Sequence, residues 1–176
     1  MKNITNFGRK FWVLKIKVGF GYDVHRLEEG YTLTMGGIKI PHTKGVVGHS
    51  DADVLIHAIC DALLGAAGLR DIGFHFPDTA TQYKGIDSKL LLKDVVALLQ
   101  KNGYSINNVD TTLCLQKPKI SGYVAEMQKT LAPILGVAEE DISIKATTTE
   151  KLGFVGSEEG VSAYATALII KNTSSL

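Results

Sequence analysis

The residues Asp23 and His25 have the types and the spacing that a metal ion requires of its ligands. They stand in the stretch GYDVH, directly after the apolar run FWVLKIKVGF. Side chains two positions apart on a β-strand point to the same face, so this carboxylate and this imidazole can converge on one ion. The same pattern is typical of an ordinary strand end whose polar face meets water. The pair alone does not decide between these two interpretations.

His57 is the candidate third ligand. It lies in the segment HSDADVLIHAICDALLGAAGL, with Asp53 before it and Asp61 after it at helical spacing. On a helix these three side chains share one side, and we expect the carboxylates to hold the imidazole in one tautomer, as groups around metal ligands do. The alternative is a histidine at the edge of the core with solvated neighbours. Together with Asp23 and His25, His57 completes a donor set that fits Zn²⁺ with one open position.

Three further segments contain residues suited to phosphate or nucleotide binding. His49 and Ser50 precede the predicted helix, whose unpaired N–H groups attract anions; a plain cap and a surface histidine are the alternative. The threonines and Glu150 of KATTTEKLGF could offer hydroxyls and a carboxylate to a Mg²⁺-diphosphate, although strand propensity also explains the threonines. The lysines of QKPK, residues 116–119, could frame a base or a phosphate, or belong to an ordinary turn.

The elements that must position these residues follow from the periodicity of apolar side chains. The sequence predicts, in order, a strand over 12–20, a hairpin over 31–40 that turns on Gly36 and Gly37, a helix over 49–69 capped by Ser50, a loop over 70–86, a helix from Asp87 or Ser88 to Gly103, a strand over 105–116, a helix over 119–136 interrupted near Pro133, and closing strands over 141–150 and 161–171. This order favours an α+β fold in two layers, with the helices packed on one face of the sheet.

Length and composition are those of a single globular domain. The chain has 176 residues, of which 45% are hydrophobic and 21% charged, and this is enough for one sizeable core. The formal net charge of +1 predicts no broad basic surface for nucleic acid or an anionic membrane. Cys60 and Cys114 lie in apolar surroundings, and we expect both to be reduced core residues.

The chain ends and its hydropathy predict a cytoplasmic protein. No apolar run is long enough to span a membrane. Residues 1–15 are basic and lack the apolar core and cleavage site of a signal peptide. We expect this segment to be a short disordered extension or the result of an early start codon.

Five blocks of the sequence resemble 2-C-methyl-D-erythritol 2,4-cyclodiphosphate synthase of the non-mevalonate isoprenoid pathway. They are GYDVH, GHSDADVLIHAICDALLGAAGLRDIG, FPDT, QKPK and KATTTEKLGFVGSEEG. The likeness runs from about Ile16 to Lys171, in order and with the spacing of the family. It implies a single domain over 16–176, preceded by the extension over 1–15.

The resemblance implies a fold, an assembly and a reaction. The fold is an α+β two-layer sandwich with a mixed β-sheet and helices on one face, assembled as a homotrimer with three sites between subunits. The reaction is that of a phosphorus–oxygen lyase, which converts 4-diphosphocytidyl-2-C-methyl-D-erythritol 2-phosphate to the 2,4-cyclodiphosphate and CMP. The substrate's own 2-phosphate attacks the β-phosphorus, so no serine or cysteine nucleophile is required.

The resemblance also assigns roles to particular residues. In family terms Asp23, His25 and His57 bind Zn²⁺, whose open position takes a substrate phosphate oxygen, and Glu150 holds a Mg²⁺ or Mn²⁺ ion between the α- and β-phosphates. His49 and Thr148 correspond to the residues that stabilise the transition state. Substrate contacts are expected from Asp23, Val24, His25, His49, Ser50, Asp71, Ile72, Gly73, Phe76, Pro77, Asp78, Thr79, Ala80, Gln116, Lys117, Pro118, Lys119, Ile120, Ser121, Thr147, Thr148, Thr149, Glu150 and Phe154. Of these, 71–73 face the ribose, 76–80 form a mobile flap, and 116–121 border the cytosine.

The sequence departs from the family pattern at Ala80, where many members have an aspartate, and at Ser157, where many have an arginine. The second departure removes positive charge that would favour isoprenoid diphosphates in a central channel of the trimer. Two other functions use the same residues: a zinc hydrolase of nucleotide diphosphates, and a non-catalytic trimeric protein that binds nucleotides or isoprenoids. Retention of all three zinc ligands favours an enzyme over the binding protein.

Overall fold

The protein folds into two layers, a five-stranded mixed sheet and a layer of helices. The computed structural model describes residues 12–174. In this part of the chain the sheet has the order β4-β1-β7-β5-β6, in which β5 and β6 are parallel and the other neighbours antiparallel. The strands are β1 (Trp12–Glu29), β2 (Leu33–Met35), β3 (Ile38–Ile40), β4 (Lys44–Val47), β5 (Tyr104–Cys114), β6 (Ile142–Thr147) and β7 (Gly160–Ser174). The helices are α1 (Val54–Ala67), α2 (Ile72–His75), α3 (Ser88–Lys101), α4 (Val124–Leu135) and α5 (Gly153–Gly156).

The long helices cover one face of the sheet, which confirms the two-layer prediction. Helix α1 packs on β1 and β7, while α3 contacts β5 and α4 contacts β6. The residues of β7 that face the helices, Val161, Ala163, Ala165, Ala167 and Ile169, are all buried. Alternation along a strand sends the intervening residues to the other face. The hydrophobic core therefore lies between the helices and a single side of the sheet.

The other face of the sheet is apolar and uncovered in the single chain. We call it the open face; it is formed by Leu14, Ile16, Val18, Phe20, Tyr22 and Val24 of β1 together with Tyr164 of β7. Its side chains are strongly exposed, Phe20 at 65% and Val18 at 64%. A contiguous apolar surface of this kind is typical of an interface with another protein surface.

Helix α1 approaches β1 closely because small residues line the contact. A Cβ atom on Gly19 would overlap the carbonyl oxygen of Ala62, and one on Gly21 would overlap that of Ala58. We call this contact the glycine–alanine seam. Only glycine on the strand allows the helix backbone to come so near, and the seam therefore sets the height of α1 above the sheet.

The start of α1 is fixed by Asp53, which corrects the expectation that Ser50 caps the helix. The Asp53 carboxylate accepts a hydrogen bond from the N–H of Ile56 at 3.1 Å, as an N-cap does. It also accepts from the N–H groups of Gly36 at 2.9 Å and Gly37 at 2.6 Å, at the tip of the hairpin β2–β3. The fully buried carboxylate thus joins the predicted hairpin to the helix.

Apart from shifted ends, such as the starts of α1 at Val54 and α4 at Val124 and the end of β6 at Thr147, the elements agree with the sequence prediction except at four places. Strand β1 continues to Glu29, and its end pairs with β4, a strand that was not predicted. The segment predicted as a loop contains α2 and a 3₁₀ turn over Thr81–Tyr83. Helix α4 runs through Pro133 to Leu135 without the expected interruption. Helix α5 follows the threonine segment and was also missed.

The N-terminal segment and the cysteines agree only in part with the sequence prediction. Residues 12–15, assigned above to the extension, pair with β7 as part of β1, and the expected disorder of the preceding residues lies outside the described part of the chain. Both cysteines are free thiols; Cys60 is buried, as predicted, whereas Cys114 is only partly buried. Among the described residues, no helix has the length and apolar character needed to cross a membrane.

Replacement of Gly21 by alanine tests the glycine–alanine seam. We expect Gly21→Ala to lower the free energy of unfolding by about 2 kcal/mol or more, because the added methyl group meets helix backbone that cannot rotate away. Gly65→Ala is the matched control, since a Cβ there has its nearest neighbour at 3.9 Å and alanine favours a helix by about 0.5–1 kcal/mol. Denaturant unfolding of both variants measures the difference; equal stabilities would contradict the steric role of the seam.

Candidate metal centre and active site

Asp23, His25 and His57 meet at one point between β1 and α1. The alternation of β1 turns Asp23 and His25 toward the helices, and His57 lies near the start of α1, just beyond the glycine–alanine seam. Asp23 Oδ2 is 3.0 Å from His25 Nε2 and 3.0 Å from His57 Nδ1, and the two imidazole nitrogens are 3.2 Å apart. One ligand atom from each residue lies within 4.8 Å of the others, so one cation can contact all three.

The outer nitrogen of each imidazole has a hydrogen-bond partner of its own. His25 Nδ1 is 3.1 Å from the carbonyl oxygen of Val47 on β4, to which only a protonated nitrogen can donate. His25 Nε2, 3.0 Å from Asp23 Oδ2, is the nitrogen left to bind a metal ion or to donate to this carboxylate. His57 Nε2 is 3.0 Å from Ser88 Oγ and 3.1 Å from Ser50 Oγ. Both histidines thus direct one nitrogen at the shared point and use the other for support, as metal-binding histidines do.

The electrostatics of the cluster favour an ionised Asp23. Burial by itself raises the pKa of this carboxyl, but the hydrogen bonds from His25 and His57 outweigh burial and lower the pKa to about 2. Burial lowers the pKa of His25, and the hydrogen bond and charge of Asp23 more than reverse this, so the pKa is raised. Asp23 therefore stays anionic in a partly buried site and attracts a cation.

The carboxylates next to His57 on its own helix do not support it, contrary to the sequence-based expectation. Asp53 points away from His57 to the hairpin and the helix N-terminus, as described above. Asp61 accepts a hydrogen bond from the N–H of Ile72 at 2.7 Å and so connects α1 to α2. The three residues have the predicted helical spacing. Both carboxylates, however, accept hydrogen bonds from backbone N–H groups and not from His57.

A cavity of about 200 Å³ adjoins the three candidate ligands. His49 and Ser50 line it on one side. On the other side it is lined by four of the residues assigned to the ribose and the flap: Ile72, Gly73, Phe76 and Asp78. His49 Nε2 lies 3.4 Å from the carbonyl oxygen of Ala80, so the flap rests on this histidine. That the flap closes over a substrate stays a prediction.

A second cavity lies at the β5–β6 end of the sheet. It has a volume of about 210 Å³ and is lined by residues from the QKPK and threonine segments: Gln116, Pro118, Lys119, Ile120, Ser121, Thr147 and Thr148. The two cavities have no lining residue in common. Strand β1 is three strand spacings from β6, which is roughly 14 Å. The structure of one chain therefore separates the candidate metal ligands from the candidate nucleotide pocket.

Residues 16–170 match the YgbB family. The chain belongs to this family. The 2-C-methyl-D-erythritol 2,4-cyclodiphosphate synthase of Bacteroides thetaiotaomicron is 61% identical over 159 residues, which are 90% of this chain and 100% of that protein. The synthase of the same name from Parabacteroides distasonis is 64% identical over 156 residues, 89% of this chain and 97% of its own. The resemblance inferred from the five sequence blocks is confirmed.

Solved structures of related proteins have the same fold. The structure titled "IspF (Plasmodium falciparum) CDP complex" is 37% identical with a TM-score of 0.79, and the match covers 90% of this chain and 97% of that one. The bifunctional IspDF from Campylobacter jejuni is 40% identical with a TM-score of 0.87 over 90% of this chain. The YgbB-family chain spans only 43% of that bifunctional protein.

Several residues assigned to substrate binding lie outside both cavities of the YgbB-family chain. Val24 points to the open face, 44% exposed, and Phe154 is 43% exposed; both line a third hollow with Arg26 and Lys44. Lys117 forms an ion pair with Glu158 at 2.9 Å. Asp71 caps α2 by accepting from the N–H of Phe74. The cavity linings also do not include Pro77, Thr79, Ala80, Thr149 and Glu150.

Glu150 and Ser157 have contacts that bear on their expected roles. Glu150 Oε1 accepts a hydrogen bond from Thr148 Oγ1 at 3.0 Å, at the rim of the second cavity and apart from the three metal-ligand candidates. Its role as a ligand of a second ion stays a prediction. The Ser157 hydroxyl donates to the carbonyl oxygen of Gly153 at 3.1 Å and so stabilises the end of α5. Ser157 therefore places no cation at this position.

Sequence reasoning missed Ser88 and Asp51. Ser88 is fully buried at the start of α3, and its hydroxyl contacts both His57 and Asp51. Tyr83, Ile86 and Leu91 line the first cavity and were missed as well. Ser88 is separated from His57 by 31 positions, and no local pattern in the sequence joins the two.

Removal of the His57 imidazole tests the metal centre. We expect His57→Ala to abolish tight binding of Zn²⁺ while the chain stays folded, because the imidazole is at the edge of the cavity and not in the apolar core. His42→Ala, at a histidine outside the cavity, is the matched control and retains the metal. Zinc content after dialysis and thermal unfolding measure the two effects; full zinc content in His57→Ala would contradict the assignment.

Proposed function

We propose that the protein converts 4-diphosphocytidyl-2-C-methyl-D-erythritol 2-phosphate to 2-C-methyl-D-erythritol 2,4-cyclodiphosphate and CMP, as a phosphorus–oxygen lyase of non-mevalonate isoprenoid biosynthesis. The observation that carries the proposal is the convergence of Asp23, His25 and His57 beside a cavity. Relatives that carry the name of this synthase support it over nine tenths of the chain. A cytoplasmic location stays a prediction from the sequence.

The donor set fits Zn²⁺ or another divalent transition metal. One carboxylate oxygen and two imidazole nitrogens face a common point, and each imidazole is held by a partner on its other nitrogen. Glu150 with Thr148 offers oxygen ligands, which suit Mg²⁺ or Mn²⁺. When bound, these ions supply positive charge that stabilises negative charge on the phosphate oxygens.

The chain provides binding and orientation, and the substrate provides the nucleophile. An oxygen of its 2-phosphate forms a bond to the β-phosphorus while the bond from this phosphorus to the CMP oxygen breaks, and CMP takes the electron pair of that bond. Cys60 is not suited to attack, because burial raises the pKa of its thiol and keeps it protonated. Catalysis by positioning and charge stabilisation is typical of phosphoryl transfer.

His49, Ser50 and Thr148 are the groups that we assign to phosphate contacts. His49 and Ser50 line the cavity next to the metal ligands, and an imidazole or hydroxyl there can donate to a phosphate oxygen. Thr148 lines the other cavity beside the QKPK loop, where the cytosine would lie. Fixed hydrogen-bond donors around a transferring phosphoryl group stabilise the charge of the transition state more strongly in a partly buried cleft than in water.

We further propose that three chains assemble so that each site combines the first cavity of one chain with the second cavity of the next. The separation of the two cavities within one chain supports this arrangement, since a cytidine diphosphate ligand has to reach both sets of residues. The open face supports it as well, because packing three such faces around an axis would bury the exposed apolar residues of β1. In a cyclic trimer each interface is heterologous, so unlike halves meet at every interface.

Product analysis tests the reaction. We expect purified protein with Zn²⁺ and Mg²⁺ to form CMP and the cyclic diphosphate in equal amounts, as measured by ³¹P NMR. A zinc hydrolase acting on the same ligand set would release CMP together with an open-chain phosphate. A binding protein would leave the substrate unchanged, and either of these outcomes would refute the cyclase.

Mixing two inactive variants tests the shared site. His57→Ala damages the metal half and Thr148→Val the nucleotide half, and each variant alone should have little activity. After unfolding and refolding at equal amounts, a site has both halves intact with a probability of one half times one half, so about a quarter of wild-type activity should return. Native mass spectrometry verifies that the oligomers are mixed. If each site lay within one chain, every site would keep a lesion and no activity would return.

A further inference from the structure

We propose that Ser88, supported by Asp51, is a positioning residue that fixes the tautomer and the orientation of His57. In this arrangement His57 carries its proton on Nε2 and presents the lone pair of Nδ1 to the metal position. The inference rests on the metal site of the proposed function and concerns residues to which neither the family resemblance nor the sequence patterns assign a role.

Three side chains form a linear relay behind the metal site. His57 Nε2 is 3.0 Å from Ser88 Oγ. Ser88 Oγ in turn donates a hydrogen bond to Asp51 Oδ1. Ser88 has no solvent-exposed surface, so water does not compete for its hydroxyl. The relay runs from α1, through the start of α3, to the loop that precedes α1.

The direction of the hydrogen bonds follows from the single proton of the Ser88 hydroxyl. An aspartate carboxylate only accepts, so this proton lies between Ser88 and Asp51. Ser88 Oγ then has only lone pairs to offer to His57, and Nε2 must be the donor. When a metal ion is bound, His57 is a neutral ligand with one N–H, and its lone pair then lies on Nδ1, the atom 3.0 Å from Asp23 Oδ2.

Ser50 also contacts His57 but does not fix the direction of the proton. Its Oγ is 3.1 Å from His57 Nε2 and accepts the N–H of Ala52 at 3.1 Å. Among the described residues no carboxylate accepts the Ser50 proton; besides His57, the Ser50 hydroxyl contacts that of Ser88 at 3.4 Å. Ser50 also lines the cavity, where its proton is available to a phosphate oxygen. Ser88 thus orients the His57 imidazole, whereas Ser50 contacts the same imidazole but remains available to bind a phosphate.

The surrounding backbone holds the relay in place. Asp87 caps α3 by accepting from the N–H of Lys89 at 2.9 Å, which fixes Ser88 as the first residue of the helix. The N–H of Asp51 donates to the carbonyl oxygen of Ile86 at 3.0 Å, so the loop with the carboxylate is attached to the chain just before α3. His25 obtains the same support from the carbonyl of Val47, whereas His57 depends on side chains that mutation can change.

Two variants and a control test the relay through metal affinity. Ser88→Ala removes the acceptor, and we expect the Kd for Co²⁺ to rise by about 10- to 100-fold, the usual effect of losing a group behind a metal-binding histidine. Asp51→Ala should have an effect of the same order, because the Ser88 proton then has no carboxylate to accept it and turns to Nε2, which moves the imidazole proton to Nδ1. Asp61→Asn, which removes a carboxylate next along α1 without contact to the relay, should keep the wild-type Kd.

A second readout observes the proton on His57 Nε2 directly in the metal-free full chain. In protein with ¹⁵N-labelled histidine, Nε2 of His57 should be protonated in the wild type and should lose this proton in Asp51→Ala, where the Ser88 hydroxyl donates to Nε2. His57→Gln assigns the signals, and Asp61→Asn should leave them unchanged. A purely structural effect of Asp51→Ala on the fold would alter thermal unfolding but would not remove the proton from Nε2.

The outcomes separate the relay from the metal assignment. Wild-type Co²⁺ affinity in both Ser88→Ala and Asp51→Ala, or a proton that stays on His57 Nε2 in Asp51→Ala, overturns the relay. If the wild-type chain binds no Co²⁺, the proposed metal site is wrong, and the NMR measurement still decides the relay. If Ser88→Ala does not fold, Asp51→Ala decides, since the Asp51 side chain is only partly buried.

Discussion

The close contact between α1 and β1 is the constraint on which the rest of the structure depends. Gly19 and Gly21 leave room for the carbonyl groups of Ala62 and Ala58, so the helix lies almost on the strand. Where the glycines end, the same face of β1 continues with Asp23 and His25, and the helix offers His57 at the same level. The ligands meet because the contact is tight up to this point and then opens into a cavity.

Three carboxylates organise the region around the start of α1, each through a different kind of partner. Asp53 accepts three backbone N–H groups; burial raises the pKa of its carboxyl, and these hydrogen bonds oppose the increase. Asp23 instead faces two imidazoles, which keep it ionised. Asp51 accepts the hydroxyl of Ser88. The segment 51–53 therefore contains two carboxylates with different roles. Asp53 fixes the start of α1, and Asp51 supports His57 without touching the metal position.

The sequence was sufficient to predict the parts of the fold that burial and periodicity decide. The alternation in β1 and the apolar stripe of α1 identified those elements and placed Asp23, His25 and His57 on converging faces. The cap of α1 was predicted wrongly because Ser50 and Asp53 are both capping residue types, and only the N–H groups of the distant hairpin favour Asp53. Strand β4 is too short to have a period and exists through its pairing with β1. The role of Ser88 depends on a contact between α3 and α1, which no local pattern encodes.

The two-sided character of β1 limits how this chain can change during evolution. Between Gly21 and His25, alternate residues belong to the metal site and to the open face. Neighbouring positions are therefore under different selective constraints. An insertion or deletion of one residue here would reverse both faces at once: Tyr22 and Val24 would turn into the helix layer, and Asp23 and His25 would turn outward. Point substitutions can alter either face separately, but a change in length would remove ligands and interface together. We expect the spacing of this segment to be preserved even where its side chains drift.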